Sequence, residues 1–338
     1  MTQSPTIARG GGGKPSAPAR HRTPHGRQKG SGMPPWLIPY ALLLPGILVI
    51  AGLLLWPLVQ VVFMSFQKLG LPQVRGTRPA EWVGFDNYQR IFENDLFWTS
   101  LRNTVVFAAV TVTLTLVLGT AVGLLLQKLG KVMSKVLIVG LMAAWAVPPV
   151  SAAIIWRWLF DADAGIINWA LNLVPDGLSN ALFGRADWTG QPWLNDPVSI
   201  YMILILCVLW ASFPFIAVSV LAGLKSIPSE LYEAARVDGS TPWHTFRKVT
   251  FPLLKPVFAV LTILSIIWDF KVLAQLLILA GPTNREAYNL SLFAWSEAFN
   301  PPPKMGTGAA IAVVLTLILL VITFIHVRQM VRTEGDIK

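Results

Sequence analysis

Six long apolar runs alternate with polar intervals along the chain, at about 37–66, 102–127, 136–159, 199–222, 257–280 and 307–327. Each is near or above the roughly 20 residues that cross a bilayer as an α-helix. The pattern predicts an all-α, polytopic membrane protein with six transmembrane helices. The first run carries Trp56-Pro57 and the third Pro148-Pro149; spans tolerate proline where neighbours satisfy the freed carbonyls. One polar interval, 228–256, keeps a helical period. Pro228 stands where a helix can begin and Gly239 where it must stop, because a left-handed closing residue is cheap only without a Cβ. Ser240 is placed to cap a second short helix with Pro242 in its first turn. Leu231, Ala234 and Ala235 share one face, and Phe246 and Val249 share another after the glycine. Pro252 and Pro256 mark the approach to the next apolar run. The prediction is two small amphipathic helices with a sharp bend between them, at a membrane surface.

Composition agrees. Of 338 residues, 54% are hydrophobic and 13% charged, against roughly a quarter charged in soluble domains. The net charge of +10 matters through its distribution. With the amino terminus inside, 17 lysines and arginines fall on inner segments and seven on outer loops, which by the positive-inside rule places both termini and the 223–256 loop in the cytoplasm. The loop near 161–198 is acidic, with Asp161, Asp163, Asp176, Asp187 and Asp196. This is topology charge, and no nucleic-acid partner is expected. Residues 1–35 hold Arg9, Lys14, Arg20, Arg22, Arg27 and Lys29 unopposed by any acid and are predicted to form a disordered tail ahead of a membrane domain, 36–338. Gly10 to Lys14 is not a phosphate loop, since Ala8 stands where the first glycine is required and Pro15 follows the lysine. The apolar run after the tail is too long for a cleaved signal peptide. The single Cys207 excludes a disulfide within the chain and a cysteine-based metal cluster.

Glu233-Ala234-Ala235, Asp238-Gly239, Phe246 and Phe251-Pro252-Leu253-Leu254-Lys255-Pro256 resemble the "EAA" loop of ABC importer permeases. In that family the loop, here 223–256, forms coupling helices that dock into a groove of the cytoplasmic ATPase. On the resemblance, Gly239 permits the bend, Glu233 offers a charge to a cation on the ATPase, and Ala234 and Ala235 keep the surface flat. Asp238, Phe246 and Pro252 complete the set. The first outer loop, Val83-Gly-Phe-Asp-Asn-Tyr88 with Phe97-Trp98 and Asn103-Thr104, is similar to sugar-importer permeases of the maltose-transporter type. Its residues also read as turns leading to an interfacial helix, with Trp82, Tyr88 and Trp98 as a headgroup belt. The resemblance implies a second homologous permease, an ABC ATPase dimer, an extracytoplasmic solute-binding protein, a carbohydrate substrate of di- or oligosaccharide size, and a cell-membrane location among lipid.

No complete Walker A, His-Glu-x-x-His or Gly-x-Ser-x-Gly occurs, so no catalytic residue, metal or cofactor is expected in the chain, and ATP would be bound by the partner subunits. Charges inside spans are costly unless they face water or a partner. Asp269 and Lys271 lie in the fifth run beside Trp268 and Gln275, two residues apart and so on different faces. Two readings stay open: they line an aqueous passage and meet sugar hydroxyls, or a helix of the partner permease neutralises them. Trp145, Trp268 and Trp295 are candidate stacking platforms for a sugar ring. The expected function is ATP-driven import by alternating access. The alternatives are a permease for another small solute, or an ion-coupled secondary transporter, for which inverted repeats would be the signature.

Overall fold

The structure is a computed structural model that describes residues 37–335; the expected tail, 1–35, lies outside the described residues. Among the described residues, five helices are long and apolar enough to cross a membrane: Ile38–Ser65, Asp95–Lys128, Pro197–Lys225, Pro242–Phe270 and Met305–Met330. The third expected span is a bent pair, Lys131–Trp145 and Pro149–Leu159, meeting at 90°. The bend falls at Pro148-Pro149, and its cause is local. A residue before proline is pushed out of the helical region, and Pro148 is extended, with ψ 139°, while Pro149 opens the next helix.

Contacts divide the chain into Met1–Leu53 and Leu54–Lys338. In the first unit, Ile38–Ile50 buries no residue. The second unit is built on the helices Asp95–Lys128 and Pro197–Lys225, which pack against each other along their length. Gly119 and Gly123 make the close approach possible. A Cβ on Gly119 would stand 2.6 Å from the Ile216 side chain, and one on Gly123 would stand 2.9 Å from the Ala217 carbonyl. Small residues one turn apart are the usual way for membrane helices to approach closely. Around this pair Phe97, Phe107, Ile200, Leu204, Tyr288 and Phe293 form the main core, and Ile216, Val220, Leu224, Leu254 and Leu261 form a second cluster.

The fifth span differs from its expected limits of 257–280. It starts at Pro242, carries both prolines inside, and ends at Phe270; a break at Lys271–Leu273 separates it from a short helix, Ala274–Ala280. Pro252 and Pro256 lack the N–H an α-helix needs. The helix absorbs this with one π-helical turn, Phe246–Thr250, in which the Phe251 N–H bonds the Phe246 carbonyl five residues back.

The segment Val83–Tyr88 is a knot. Asn87 Nδ2 donates to the carbonyls of Ser65 (2.8 Å) and Gln67 (3.0 Å), Tyr88 OH shares a hydrogen bond with Ser65 Oγ (2.7 Å), and Thr307 Oγ1 donates to Asn87 Oδ1 (3.3 Å). It joins the end of Trp56–Ser65 to the start of the last span. Of the expected headgroup belt, Trp82 and Trp98 are exposed, whereas Tyr88 belongs to the knot.

Candidate functional site

The polar loop forms one helix, Ser229–Val237, with Pro228 one position before it and Asp238 closing it. Gly239 follows at φ +72°. Its N–H bonds the Arg236 carbonyl, and the Ser240 N–H bonds the Ala235 carbonyl at 2.9 Å. These are the paired bonds of a left-handed helix stop, as expected for Gly239. The next cap is Thr241 and not the expected Ser240: Thr241 Oγ1 accepts from the His244 N–H at 3.3 Å. The second expected helix is not separate, because Pro242 begins the fifth span itself. The bend therefore joins a short helix to a rod of 29 residues, about 43 Å long at 1.5 Å per residue.

The short helix is thinly attached. The side-chain hydrogen bond that ties it to the rod runs from Thr250 Oγ1 to Tyr232 OH, at 3.4 Å. Ala235 is buried, whereas Leu231, Glu233, Ala234 and Asp238 face out, so the shared face of Leu231, Ala234 and Ala235 is not buried as a unit. Glu233 makes no ion pair among the described residues. Phe246 is half-buried, stacked on Trp243 at 5.7 Å, and leads to Phe251 and Phe258. This aromatic line borders an apolar groove of about 750 Å³ against Leu116, Val117 and Leu124. Pro252 lies on the exposed side of the rod.

The far end of the rod opens on a second feature. Trp268, Asp269, Lys271 and Gln275 line one cavity of about 390 Å³, together with Trp145, Pro149, Cys207 and Ser212. That volume lies within the range of small-molecule sites. Asp269 is 4% exposed and makes no side-chain hydrogen bond or ion pair among the described residues. A carboxylate so placed is costly unless a ligand, water or partner group meets it. Trp145 stacks on Phe215 at 5.8 Å, and Phe215 meets Trp268 edge-on at 5.4 Å. Lys271 sits in the break and also lines a neighbouring cavity of about 490 Å³, and that is where Trp295 lies. Four of the five expected pathway residues thus come together, and Trp295 stands apart from them.

The break that shapes the cavity is held by residues the sequence did not single out. Ser291 Oγ donates to the Phe270 carbonyl at 3.1 Å and Asn289 Nδ2 to the Val272 carbonyl at 2.6 Å. Arg157 Nη1 donates to the Ile278 carbonyl at 2.9 Å. Irregular backbone at membrane depth survives only with such partners. Asn103 and Thr104 act alike: Asn103 donates to the carbonyls of Glu286 and Tyr288, and Thr104 Oγ1 accepts from the Leu290 N–H.

A family profile described as "Binding-protein-dependent transport system inner membrane component" matches residues 115–332. The chain is 38% identical over 301 residues to the diacetylchitobiose uptake system permease protein DasB of Streptomyces coelicolor, covering 89% of this chain and 88% of that protein. It is 29% identical over 290 residues to the trehalose/maltose transport system permease protein MalF of Thermococcus litoralis, covering 86% and 92%. A crystal structure of a bacterial ABC transporter involved in the import of the acidic polysaccharide alginate has a chain of the same fold, with TM-score 0.72, 22% identity, and coverage of 88% of this chain and 96% of that one.

Proposed function

This chain belongs to the binding-protein-dependent transport system inner membrane components, ABC transporter permeases and not enzymes, and on that premise we propose that it carries a di- or oligosaccharide from a solute-binding protein to the cytoplasm. It is the permease subunit of a carbohydrate ABC importer, which works with an ATPase and a solute-binding protein. The further assignments are a second homologous permease at its side, both termini and the 223–256 loop in the cytoplasm, and surrounding membrane lipid. The named sugars of DasB and MalF support the substrate class.

The observation that carries the mechanism is the rod. One helix starts three residues after the Gly239 bend and carries Trp268 and Asp269 in its last turn. ATP closes the ATPase dimer, the docked helix Ser229–Val237 moves with it, and the rod passes the displacement to the cavity wall. Glu233, Ala234 and Asp238 form the docking surface, with the buried Ala235 and the half-buried Phe246 supporting it, and Pro252 follows the π turn Phe246–Thr250 within the rod. In the cavity the aromatic faces of Trp145 and Trp268 stack on a sugar ring while Asp269, Lys271 and Gln275 meet its hydroxyls. The carboxylate gains a partner only when sugar is present, and a ligand shifts a conformational equilibrium only by such differential contact.

The test is uptake of a labelled disaccharide by vesicles reconstituted with the chain, its co-encoded permease and ATPase, and the binding protein. Uptake should require ATP on the side of residues 223–256 and should fall at least tenfold in Trp268→Ala. Uptake that proceeds unchanged without ATP would sink the reading.

A further inference from the structure

Between the bent pair and the fourth span lies a hairpin of two helices, Ile166–Leu171 and Asp176–Phe183, both too short to cross a membrane. Its polarity is inverted relative to a loop that faces water. Trp188 and Trp193 stack at its centre, 5.4 Å apart and 4° from parallel. Polar groups point inward at them: Trp188 Nε1 donates to Ser179 Oγ at 3.0 Å and Trp193 Nε1 to Asn168 Oδ1 at 2.6 Å, with both acceptor residues buried. Asn172 Oδ1 accepts from the Trp188 N–H at 2.8 Å. Large apolar side chains point outward. Trp169, Leu173, Leu178 and Leu182 are each more than half exposed, whereas Phe183 sets its ring edge-on against Trp188 at 5.5 Å.

On each helix the inward polar residue fixes the geometry. Trp169 is one position after Asn168 and Leu178 one before Ser179, so at 100° per residue both turn away from the tryptophan pair; Leu173, past the end of its helix, and Leu182 are outward by their exposure. Trp169 adds an indole N–H with no partner among the described residues to a ring exposed to the surroundings, the amphipathic form that suits the boundary between headgroups and acyl chains.

We propose that this hairpin lies in the bilayer interface, with Trp169, Leu173, Leu178 and Leu182 in lipid. The occupant is argued from continuity. The hairpin starts just after Leu159 and ends just before Pro197, where membrane-spanning helices stop and start. Trp158 before it and Val198 after it are themselves exposed apolar side chains, so the hairpin's apolar face extends the surface the spans present to the bilayer. Its acids stay on the watery side as backbone acceptors. The Asp161 carboxylate accepts the N–H groups of Ala164 and Asp163, and Asp187 accepts that of Thr189, which holds both carboxyls below the usual range. Such a hairpin would hold the outer ends of the third and fourth spans at a fixed depth while the fifth moves.

The test places single cysteines at Trp169, Leu173 and Leu182, with Asp163→Cys as control, and labels them with a nitroxide; the native Cys207 is buried. The full chain is measured in phosphatidylethanolamine/phosphatidylglycerol vesicles and in cell membranes holding the co-expressed importer. Collision with oxygen, which concentrates in lipid, is compared with collision with a water-soluble nickel chelate. The oxygen-to-nickel ratio should be several-fold higher at the three apolar positions than at Asp163→Cys in both preparations. A ratio as low as the control puts the face in water and overturns the proposal. Labels shut off from both reagents put it under protein, either the second permease or the binding protein, and overturn it equally. The measurement requires no transport, so it stands or falls independently of the sugar assignment.

Discussion

The two ends of the membrane bundle are held by different forces. At the end formed by residues 65–104 and 284–308, side chains clamp main chain repeatedly: Asn87 on Ser65 and Gln67, Asn103 on Glu286 and Tyr288, Thr104 on Leu290, Asn289 on Val272. Backbone packing there is just as close, since a Cβ on Gly306 would run into the Gln67 carbonyl. At the opposite end the helix Ser229–Val237 has one long hydrogen bond to the rod, from Thr250 to Tyr232, and exposes most of its surface. The comparison separates an end pinned by many side-chain clamps from one that is thinly attached. Buried hydrogen bonds to backbone are costly to leave unmade, so they pin a register; an exposed helix with a sharp glycine stop can follow an external partner without breaking anything.

The largest effect is expected where the clamped end is cut. Asn87→Ala removes two donors and leaves buried carbonyls unmet, at about 1–3 kcal/mol for each unsatisfied group. The expected outcome is a strong fall in the unfolding temperature of the purified chain, with uptake lost in proportion to folded protein. An unfolding temperature equal to wild type would show that the knot does not pin that end. Gly239→Val tests the other end. Nothing lies within 4 Å of the added Cβ, so the cost is the left-handed backbone alone, roughly 1–2 kcal/mol. The variant should reach the membrane folded and lose sugar-stimulated ATP hydrolysis. If stimulation survives, the bend is not the transmission point.

This contrast explains what could be read from the chain and what could not. Apolar runs long enough to cross a bilayer announce themselves by composition, and Gly239 announces its stop because few other residues take φ near +72°. The 90° turn at Pro148-Pro149 hides within an unbroken apolar run, because hydropathy does not register a missing N–H. The fifth span was expected to start after its prolines and instead contains them, since a π turn is a tertiary accommodation with no composition of its own. Asn289 and Ser291 carry no motif; they matter only because two freed carbonyls lie beside them. Val83–Tyr88, similar to sugar importers by its letters, touches no cavity with Asp269 and instead ties helices together. The acids of the 161–198 loop were visible, but its outward apolar face was not, because inward and outward are decided by the Trp188–Trp193 pair.

At the cavity the expected effect is smaller on the fold and still clear on function. Asp269 is buried without a side-chain partner among the described residues, so Asp269→Asn keeps the shape and removes a charge that costs folding free energy. The unfolding temperature should hold or rise while uptake falls about tenfold, close to 1.4 kcal/mol of lost interaction at the transition state. A loss of both would mean that Asp269 is paired within the assembly by the second permease, the other reading of this charge.

The smallest effect belongs to Glu233, and it sharpens the contrast most. The side chain is exposed and makes no ion pair among the described residues, so Glu233→Gln should leave the unfolding temperature unchanged. If it meets a cation on the ATPase, it does so at a rim wet with solvent, where ion pairs are worth little. Stimulated ATP hydrolysis should then fall only about two- to fivefold, and the deficit should shrink as salt is raised, because screening weakens the wild-type pair and leaves the glutamine variant untouched. A salt-independent deficit would assign the residue a role in the helix itself, whose first turn it follows, and not in docking. The loop end would then be coupled through shape, by the exposed Ala234 and the angle set at Gly239, with charge contributing nothing to the grip.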